Sequence, residues 1–357
     1  MSQLAAVVGA SGYTGGELLR LLASHPALSV GPVFGSSSAG RTLGSVHRNL
    51  PRLASTLIGS IDDVVTDPRS AIGHVDVVFL ALPHGHSGRL ARAVLAAMPD
   101  DHPVLIDLGA DHRLQSSDDW DRYYGPDADS HAGTWTYGLP ELRDARAAIS
   151  AARLIANPGC YPTAVVLALA PLMAADLADA DDVVVVAASG TSGAGRSPST
   201  QLLGSEVMGS LSAYKAGGAH QHTPEMAQAL ARVAGSLVHL SFTPVLAPMP
   251  RGILATCTAR AAPDVTAEDA RRALIDAYHN EPFVNVLEPG VWPRTADVLG
   301  SNSAHIQVAV DELSGRVVAV SAIDNLIKGA AGQAVQNANL ALRIGEQTGL
   351  TADGIAP

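Results

Sequence analysis

The chain has 357 residues, 47% of them hydrophobic and only 16% charged, and carries a net charge of −11. That length suits two ordinary domains around a large core. The acidic balance excludes a nucleic-acid footprint, and every apolar run is interrupted too soon to span a membrane. Two cysteines are too few for a disulfide framework, and the N-terminal run has neither the basic region nor the cleavage site of a leader, so a reducing cytoplasm is expected. Arginine far outnumbers lysine; Lys215 and Lys328 are the only lysines, each close to glycine.

Residues 4–8 form an apolar strand that runs straight into Gly9-Ala10-Ser11-Gly12-Tyr13-Thr14-Gly15-Gly16, with a helix at 17–23. Strand, glycine turn and helix in that order are the context a dinucleotide fingerprint requires. Gly9 permits the tight turn, Gly12 lets backbone approach a pyrophosphate, and Gly15 lets the helix pack close to its strand. The spacing, G-x-x-G-x-x-G, is one residue longer than the commonest form. A second strand at 29–34 ends in Gly35-Ser36-Ser37-Ser38, with Arg41 beyond, where an NAD site offers Asp or Glu. Hydroxyls and a guanidinium suit a 2′-phosphate, so NADP(H) is the expected cofactor.

A strand at 76–82 leads to Pro83-His84-Gly85-His86-Ser87, with Ser87 as cap of a helix at 88–98. The strand at 104–108 ends in Gly109-Ala110-Asp111-His112-Arg113. Residues 115–139 read as a long loop, and 141–152 as a helix. Alternating strands and helices predict a doubly wound parallel sheet, with ligands beyond the carboxyl ends of its strands. The candidate cofactor residues are Gly9, Ser11, Gly12, Tyr13, Thr14 and Gly15, then Ser36, Ser37 and Arg41, and Pro83.

Asn157-Pro158-Gly159-Cys160-Tyr161-Pro162-Thr163 lies between an apolar run at 154–156 and the alanine, valine and leucine segment 164–170. This reads as strand, tight turn and buried helix, with Pro162 suited to the first helical turn. Cys160 then meets unpaired backbone N–H groups and the positive end of the helix dipole. A thiol there ionises more readily, and the thiolate is the nucleophile. Free cysteine is equally a small buried hydrophobe, and position alone leaves both readings open.

Beyond it the pattern changes. Strands at 183–188, 238–243, 252–259, 305–310 and 317–323 have few helices between them; one, at 269–278, is capped by Thr266. Glu312-Leu313-Ser314-Gly315 makes the last two strands a hairpin, and a final helix covers 333–342. The fold class is an α/β Rossmann-type nucleotide domain plus an α+β catalytic domain with a mainly antiparallel sheet. His220-Gln221-His222 offers an imidazole base for a cysteine nucleophile, or structural hydrogen bonders. His84/His86 and His220/His222 also have a spacing open to metal, but no further Cys, Asp or Glu stands at ligand spacing, and no metal is expected.

Nine stretches, in order, carry a resemblance over residues 8–342. They are Gly9 to Gly15, Leu82-Pro-His-Gly85, Asp107-Leu-Gly-Ala-Asp-His-Arg113, Tyr137-Gly-Leu-Pro-Glu141, Asn157 to Thr163, Ser189-Gly-Thr-Ser-Gly-Ala-Gly-Arg196, His220-Gln-His-Thr-Pro-Glu225, Pro248-Met-Pro-Arg-Gly252 and Asp324-Asn-Leu-Ile-Lys-Gly329. With these the chain resembles the N-acetyl-gamma-glutamyl-phosphate reductase family of arginine biosynthesis, in the aspartate-semialdehyde-dehydrogenase-like superfamily. The resemblance implies NADPH-dependent reduction of an acyl phosphate, with cofactor on the first domain and the catalytic cysteine in a cleft between the two.

By that resemblance Cys160 is the nucleophile, His220 the acid/base, and Asn325 the residue that orients the nicotinamide amide. Arg113 and Ser192, with Tyr214, are candidates for the substrate's phosphate or carboxylate. The expected division is 1–156 plus 326–357 for the NADP-binding domain and 157–325 for the catalytic and dimerisation domain, in a homodimer or homotetramer. The chain departs from the family pattern at Ala219 and Gln221, and at His112, where Phe is expected. The same scaffold would serve another acyl phosphate, aspartyl or carrier-linked aminoadipyl, or a non-catalytic nucleotide sensor. A sensor needs neither Cys160 nor His220.

Overall fold

A computed structural model describes residues 2–125 and 131–355. The chain divides into two compact units. The first comprises Met1–Pro140, Asp144–Pro158 and Ala330–Leu350, the second Glu141–Arg143, Gly159–Gly329 and Thr351–Pro357. Residues 326–329 and 351–355, assigned by sequence to the nucleotide domain, group with the second unit. Lys328 is buried there against Glu141, and the Asn302 N–H donates to the Thr351 carbonyl at 2.8 Å.

In the first unit, β1 (Gln3–Val8), β2 (Leu28–Gly35), β3 (Ile58–Ser60), β4 (Val77–Leu80), β5 (Val104–Asp107), β6 (Thr136–Tyr137) and β7 (Leu154–Ala156) form one sheet. Its order is β3-β2-β1-β4-β5-β7-β6, every pairing parallel. β4 and β5 are buried along their whole length, as strands covered on both faces must be. One core cluster joins Val8, Phe34 and Leu80 of the strands to Leu90, Val94 and Met98 beside the helix Ser87–Ala97. Each such side chain contributes about 1.5–3 kcal/mol on burial. Strand order reverses between β1 and β4, so the glycine turn leaving β1 sits at the topological switch point.

Three local expectations are corrected here. Ser87 is the first helical residue rather than the cap; Asp111 instead accepts from the Gly85 N–H at 2.8 Å and the Gly88 N–H at 2.9 Å. The expected loop at 115–139 contains the helix Ser117–Tyr124 and strand β6, while residues 126–130 of it lie outside the described residues. That helix is fixed by its cap, with Ser116 Oγ accepting from the Asp119 N–H, and by Trp120 stacked on Tyr124 at 4.3 Å. With Trp120 its one buried residue, it shows no apolar period. The helix expected at 141–152 begins only at Ala145, because Glu141 turns its carboxylate to Lys328.

The second unit holds β8 (Ala178–Ser189), β9 (Ser212–Ala213), β10 (Leu240–Leu246), β11 (Ile253–Ala261), β12 (Val284–Val286), β13 (Ala304–Asp311) and β14 (Arg316–Ile323). The sheet order is β12-β13-β14-β11-β8-β10-β9, mixed and mostly antiparallel. β13 and β14 form the expected hairpin, in register from Asp311/Arg316 to Ala304/Ile323. The helix Ala267–Tyr278 is closed by the expected Thr266 cap and a reciprocal Asp269 bond. Burial alternates from Val183 to Ala187 in β8 and from Ile253 to Ala259 in β11: Val183, Val185, Ala255 and Cys257 are covered, whereas Val184 and Val186 are exposed. One face is therefore core and the other bare.

Against the covered face lies the helix Cys160–Ala174, buried on all sides from Tyr161 to Met173. Pro171 interrupts it and cannot donate to the Leu167 carbonyl one turn back. Tyr278 Oη supplies the missing donor at 2.8 Å, and Ser321 Oγ similarly bonds the Ala164 carbonyl. A proline inside a buried helix is thereby kept without an orphaned acceptor.

Candidate active site

The glycine turn of the first unit is built by close approach. Gly9 has φ +91°, and a Cβ there would stand 2.1 Å from the Ala81 carbonyl oxygen; one at Gly15 would stand 2.3 Å from the Gly9 oxygen. Gly12, N-cap of the helix Tyr13–Leu22, differs: the nearest atom to its Cβ position is 3.7 Å away. Protein packing does not demand glycine there, so the open space is a cradle that a side chain would fill. It faces the first N–H groups of the helix, a fit for a pyrophosphate. Tyr13 is 42% exposed beside it, with Ser11 and Thr14 half-buried. His47, not singled out by sequence, packs on Gly16 and bonds the Ala10 carbonyl at 2.8 Å through Nε2, bracing the turn.

After β2, Ser36, Ser37 and Arg41 are exposed, while Ser38 turns inward. Arg41 is exposed and donates from Nη2 to the Ser45 carbonyl at 3.3 Å. These residues fit a phosphorylated ribose and include no carboxylate. Pro83 is exposed just past β4, on the turn that Asp111 clamps. Arg113 is buried and spends its guanidinium on carbonyls, Nε to Asn157 at 2.8 Å and Nη2 to Leu108 at 2.8 Å. His112 stacks face to face on Trp135 at 3.7 Å and donates from Nδ1 to the Gly133 carbonyl at 2.9 Å. Burial lowers its pKa, so a flat neutral ring fills the position where Phe is expected.

In the second unit Cys160 is the first residue of its helix, half-buried, behind the N-cap Gly159. The turn before it is fixed from both sides. Gly159 N–H donates to the buried Glu225 carboxylate at 2.8 Å, and Thr163 Oγ1 donates to the Gly159 carbonyl at 2.9 Å. Glu225 stands in the first turn of the helix Thr223–Ala234, which sequence reading passed over although Thr-Pro-Glu is a fair start signal. By contrast Cys257 sits mid-strand on the covered face, and burial raises its thiol to about 12.

Tyr161 and Tyr214 tie Cys160 to His220. Their hydroxyls lie 2.9 Å apart, and both rings meet the His220 ring edge-on, at 5.4 and 5.6 Å. Phe242 and His222 close the box at 5.1 Å each. Burial raises the Tyr161 phenol far above its ordinary range and Tyr214 to about 12, and a charge on Cys160 pushes both further up. His220 is buried, and its Nδ1 accepts the His222 backbone N–H at 3.1 Å. A neutral His220 therefore carries its proton on Nε2. Cys160, His220 and Tyr214 are thus gathered in one cluster.

Ser192 and Asn325 form a second pair. Asn325 is buried, donates from Nδ2 to Ser192 Oγ at 3.0 Å and accepts from the Gly252 N–H at 2.7 Å. Both ends of its amide are already engaged within the unit. Gln221 accepts from Lys215 at 2.8 Å on the surface. Among the described residues no group of three His, Cys, Asp or Glu side chains could hold a metal ion, and no helix is long and apolar enough to cross a membrane.

The NAD-binding domain of semialdehyde dehydrogenases matches residues 4–152, and the semialdehyde dehydrogenase dimerisation domain matches residues 160–325. The chain is 58% identical to an N-acetyl-gamma-glutamyl-phosphate reductase of Acidothermus cellulolyticus and 56% identical to one of Streptomyces coelicolor, covering 100% of each protein and of itself. Among solved structures it is similar to aspartate semialdehyde dehydrogenase II of Vibrio cholerae, complexed with ASA, with a TM-score of 0.70 at 18% identity over 96% of this chain and 99% of that one. The Candida albicans aspartate semialdehyde dehydrogenase solved with NADP gives 0.70 at 16% identity over 95% and 98%. At those identities the solved structures establish the fold alone.

Proposed function

Because this chain belongs to the N-acetyl-gamma-glutamyl-phosphate reductase family, we propose that it reduces N-acetyl-gamma-glutamyl phosphate to N-acetylglutamate semialdehyde and phosphate through a thioester on Cys160. The observation that carries the reading is Cys160 at the open N-terminus of a buried helix, in one aromatic cluster with His220. Cys160 Sγ attacks the acyl carbon, the carbon–oxygen bond to phosphate breaks, and the acyl group stays on sulfur. Gly9, Ser11, Gly12, Tyr13, Thr14 and Gly15 would hold NADPH, with Ser36, Ser37 and Arg41 toward the 2′-phosphate and Pro83 nearby, and the chemistry it would supply there is the hydride that reduces the thioester. The carbon–sulfur bond then breaks, Cys160 leaves as thiolate, and the aldehyde is free.

Oxygen bears the negative charge before each collapse. Backbone N–H groups at the helix start and the Nε2–H of His220 are the donors available to it. To accept a proton at Nδ1, His220 would have to surrender the His222 N–H, so its proton traffic runs through Nε2. Ser192 and Tyr214 are the polar groups offered to substrate by the second unit; Arg113 and Asn325 serve first to hold neighbouring turns. Two copies of the chain associate through the bare face of the second sheet, where Val184 and Val186 point outward. Both cysteines are free, which suits a reducing cytoplasm.

The test is mass spectrometry of enzyme quenched with acyl phosphate in the absence of NADPH. An N-acetylglutamyl adduct on Cys160, with Cys257 unmodified, is expected. Turnover with no adduct on any residue would mean direct reduction of the acyl phosphate. A phosphate-dependent oxidation that prefers aspartate semialdehyde would overturn the substrate assignment.

A further inference from the structure

Lys328 is one of two lysines, and its side chain is fully buried in the second unit. Its Nζ donates to Glu141 Oε1 and lies 5.7 Å from the centre of the Phe283 ring. Glu141 arrives on Glu141–Arg143, a stretch that belongs to the second unit although the chain on either side belongs to the first. Burying both charges is expensive, and an apolar pair of similar volume commonly holds a fold as well or better. Stability alone therefore gives no reason for this pair.

The residue after Lys328 supplies one. Gly329 rests on the candidate nucleophile: a Cβ there would lie 2.7 Å from Cys160 Cβ, 3.1 Å from Cys160 Cα and 3.2 Å from Ile323 Cδ1. Its N–H donates to the Asp324 carbonyl at 3.0 Å. The buried Asp324 carboxylate in turn accepts from the N–H groups of Leu326, Ile327 and Gly300 and from the Arg251 guanidinium. The turn from 324 to 329 is thus fastened at its start by Asp324 and at its end by Lys328. It enters the π-helical turn Ile327–Ala331, an irregularity that recurs at functional sites.

We propose that Lys328 and Glu141 are positioning residues for the nucleophile. Their ion pair holds Gly329 against Cys160 and so fixes the direction in which Sγ meets the acyl carbon. A reacting atom displaced by about 1 Å can cost on the order of 100-fold in rate. The pair touches no substrate; it acts through the glycine platform.

The proposal rests on Cys160 as nucleophile, which Cys160→Ser tests separately. The decisive protein is the double variant Lys328→Met with Glu141→Met, which removes both charges at similar volume. It should keep or raise the melting temperature, lose at least about 10-fold in kcat, and keep KM for acyl phosphate and NADPH within about twofold. Gly329→Ala should lose kcat similarly, because its methyl must displace Cys160. A double variant with unchanged kcat overturns the proposal, and so does an unimpaired Gly329→Ala if the double variant does not fold. Inactive Cys160→Ser beside such unimpaired variants would reject the positioning role alone and leave the nucleophile standing.

Discussion

Tyr161, the residue after Cys160, and Tyr214 share one hydroxyl contact at 2.9 Å, with His220 edge-on to both rings. Both phenols are held protonated at neutral pH, so each remains a hydrogen-bond donor while Cys160 is ionised. Removing the Tyr161 hydroxyl takes the partner from Tyr214, at about 1–3 kcal/mol, whereas the Tyr161 hydroxyl keeps Ser189 as a second partner when Tyr214 loses its own. Tyr161→Phe should therefore lower the melting temperature more than the double Phe variant does, and more than Tyr214→Phe, which leaves Tyr161 its Ser189 partner. Thermal melts of the four proteins check this; additive losses would mean that the two hydroxyls do not depend on each other.

His220 and His222 are adjacent in the box but not equivalent. Nδ1 of His220 is occupied by the His222 N–H, which leaves Nε2 as its chemical end. Asn at 220 can imitate Nδ1 but not Nε2, so His220→Asn should keep the fold and NADPH binding and lose about 10²–10³ in kcat, the usual loss for one oxyanion donor. His220→Gln, which offers an N–H nearer the Nε2 position, should recover part of it. His222→Asn should cost much less, since the bond from position 222 is made by backbone. Steady-state kinetics of the three decide the matter; a larger loss at 222 would show the wrong histidine to be in charge.

What the sequence made legible were features with local causes. Gly9, Gly15, the Thr266 cap and the Glu312-Leu313-Ser314-Gly315 turn each impose their conformation within a few residues, and the structure keeps them all. Cys160 could be located because a glycine turn and Pro162 mark a helix start. Features with distant partners were not legible. Nothing near Glu141 announces that its carboxylate meets Lys328, 187 positions away. Likewise Asp111 caps a helix 23 residues earlier. The helix Ser117–Tyr124 was missed because a single buried Trp120 gives no period to read. Arg113 is a candidate for the substrate's phosphate or carboxylate, and its bonds to the Asn157 and Leu108 carbonyls, the first 44 positions away, were not legible either.

Asp107, at the end of β5, is fully buried, and burial raises its pKa to about 7, with the nearby Asp111 charge adding to the effect. In the unfolded chain the same carboxyl titrates near its ordinary value of 3.8. Between these values the folded protein holds a proton that the unfolded chain has released. Folding stability from this group is therefore fully present below about pH 4, falls as pH rises, and is lost once pH passes about 7. Asp107→Asn keeps an oxygen for the Gly109 N–H, which Oδ1 now accepts at 2.9 Å, and cannot ionise. Relative to the parent, the variant should gain nothing at pH 4, gain progressively from pH 4 to 7, and reach a plateau above it worth a few kcal/mol at most. Denaturant unfolding of both proteins at several pH values gives this difference directly, since contributions from the other carboxylates cancel. A difference that stays constant from pH 4 to 8 would mean that Asp107 enters the folded state already ionised.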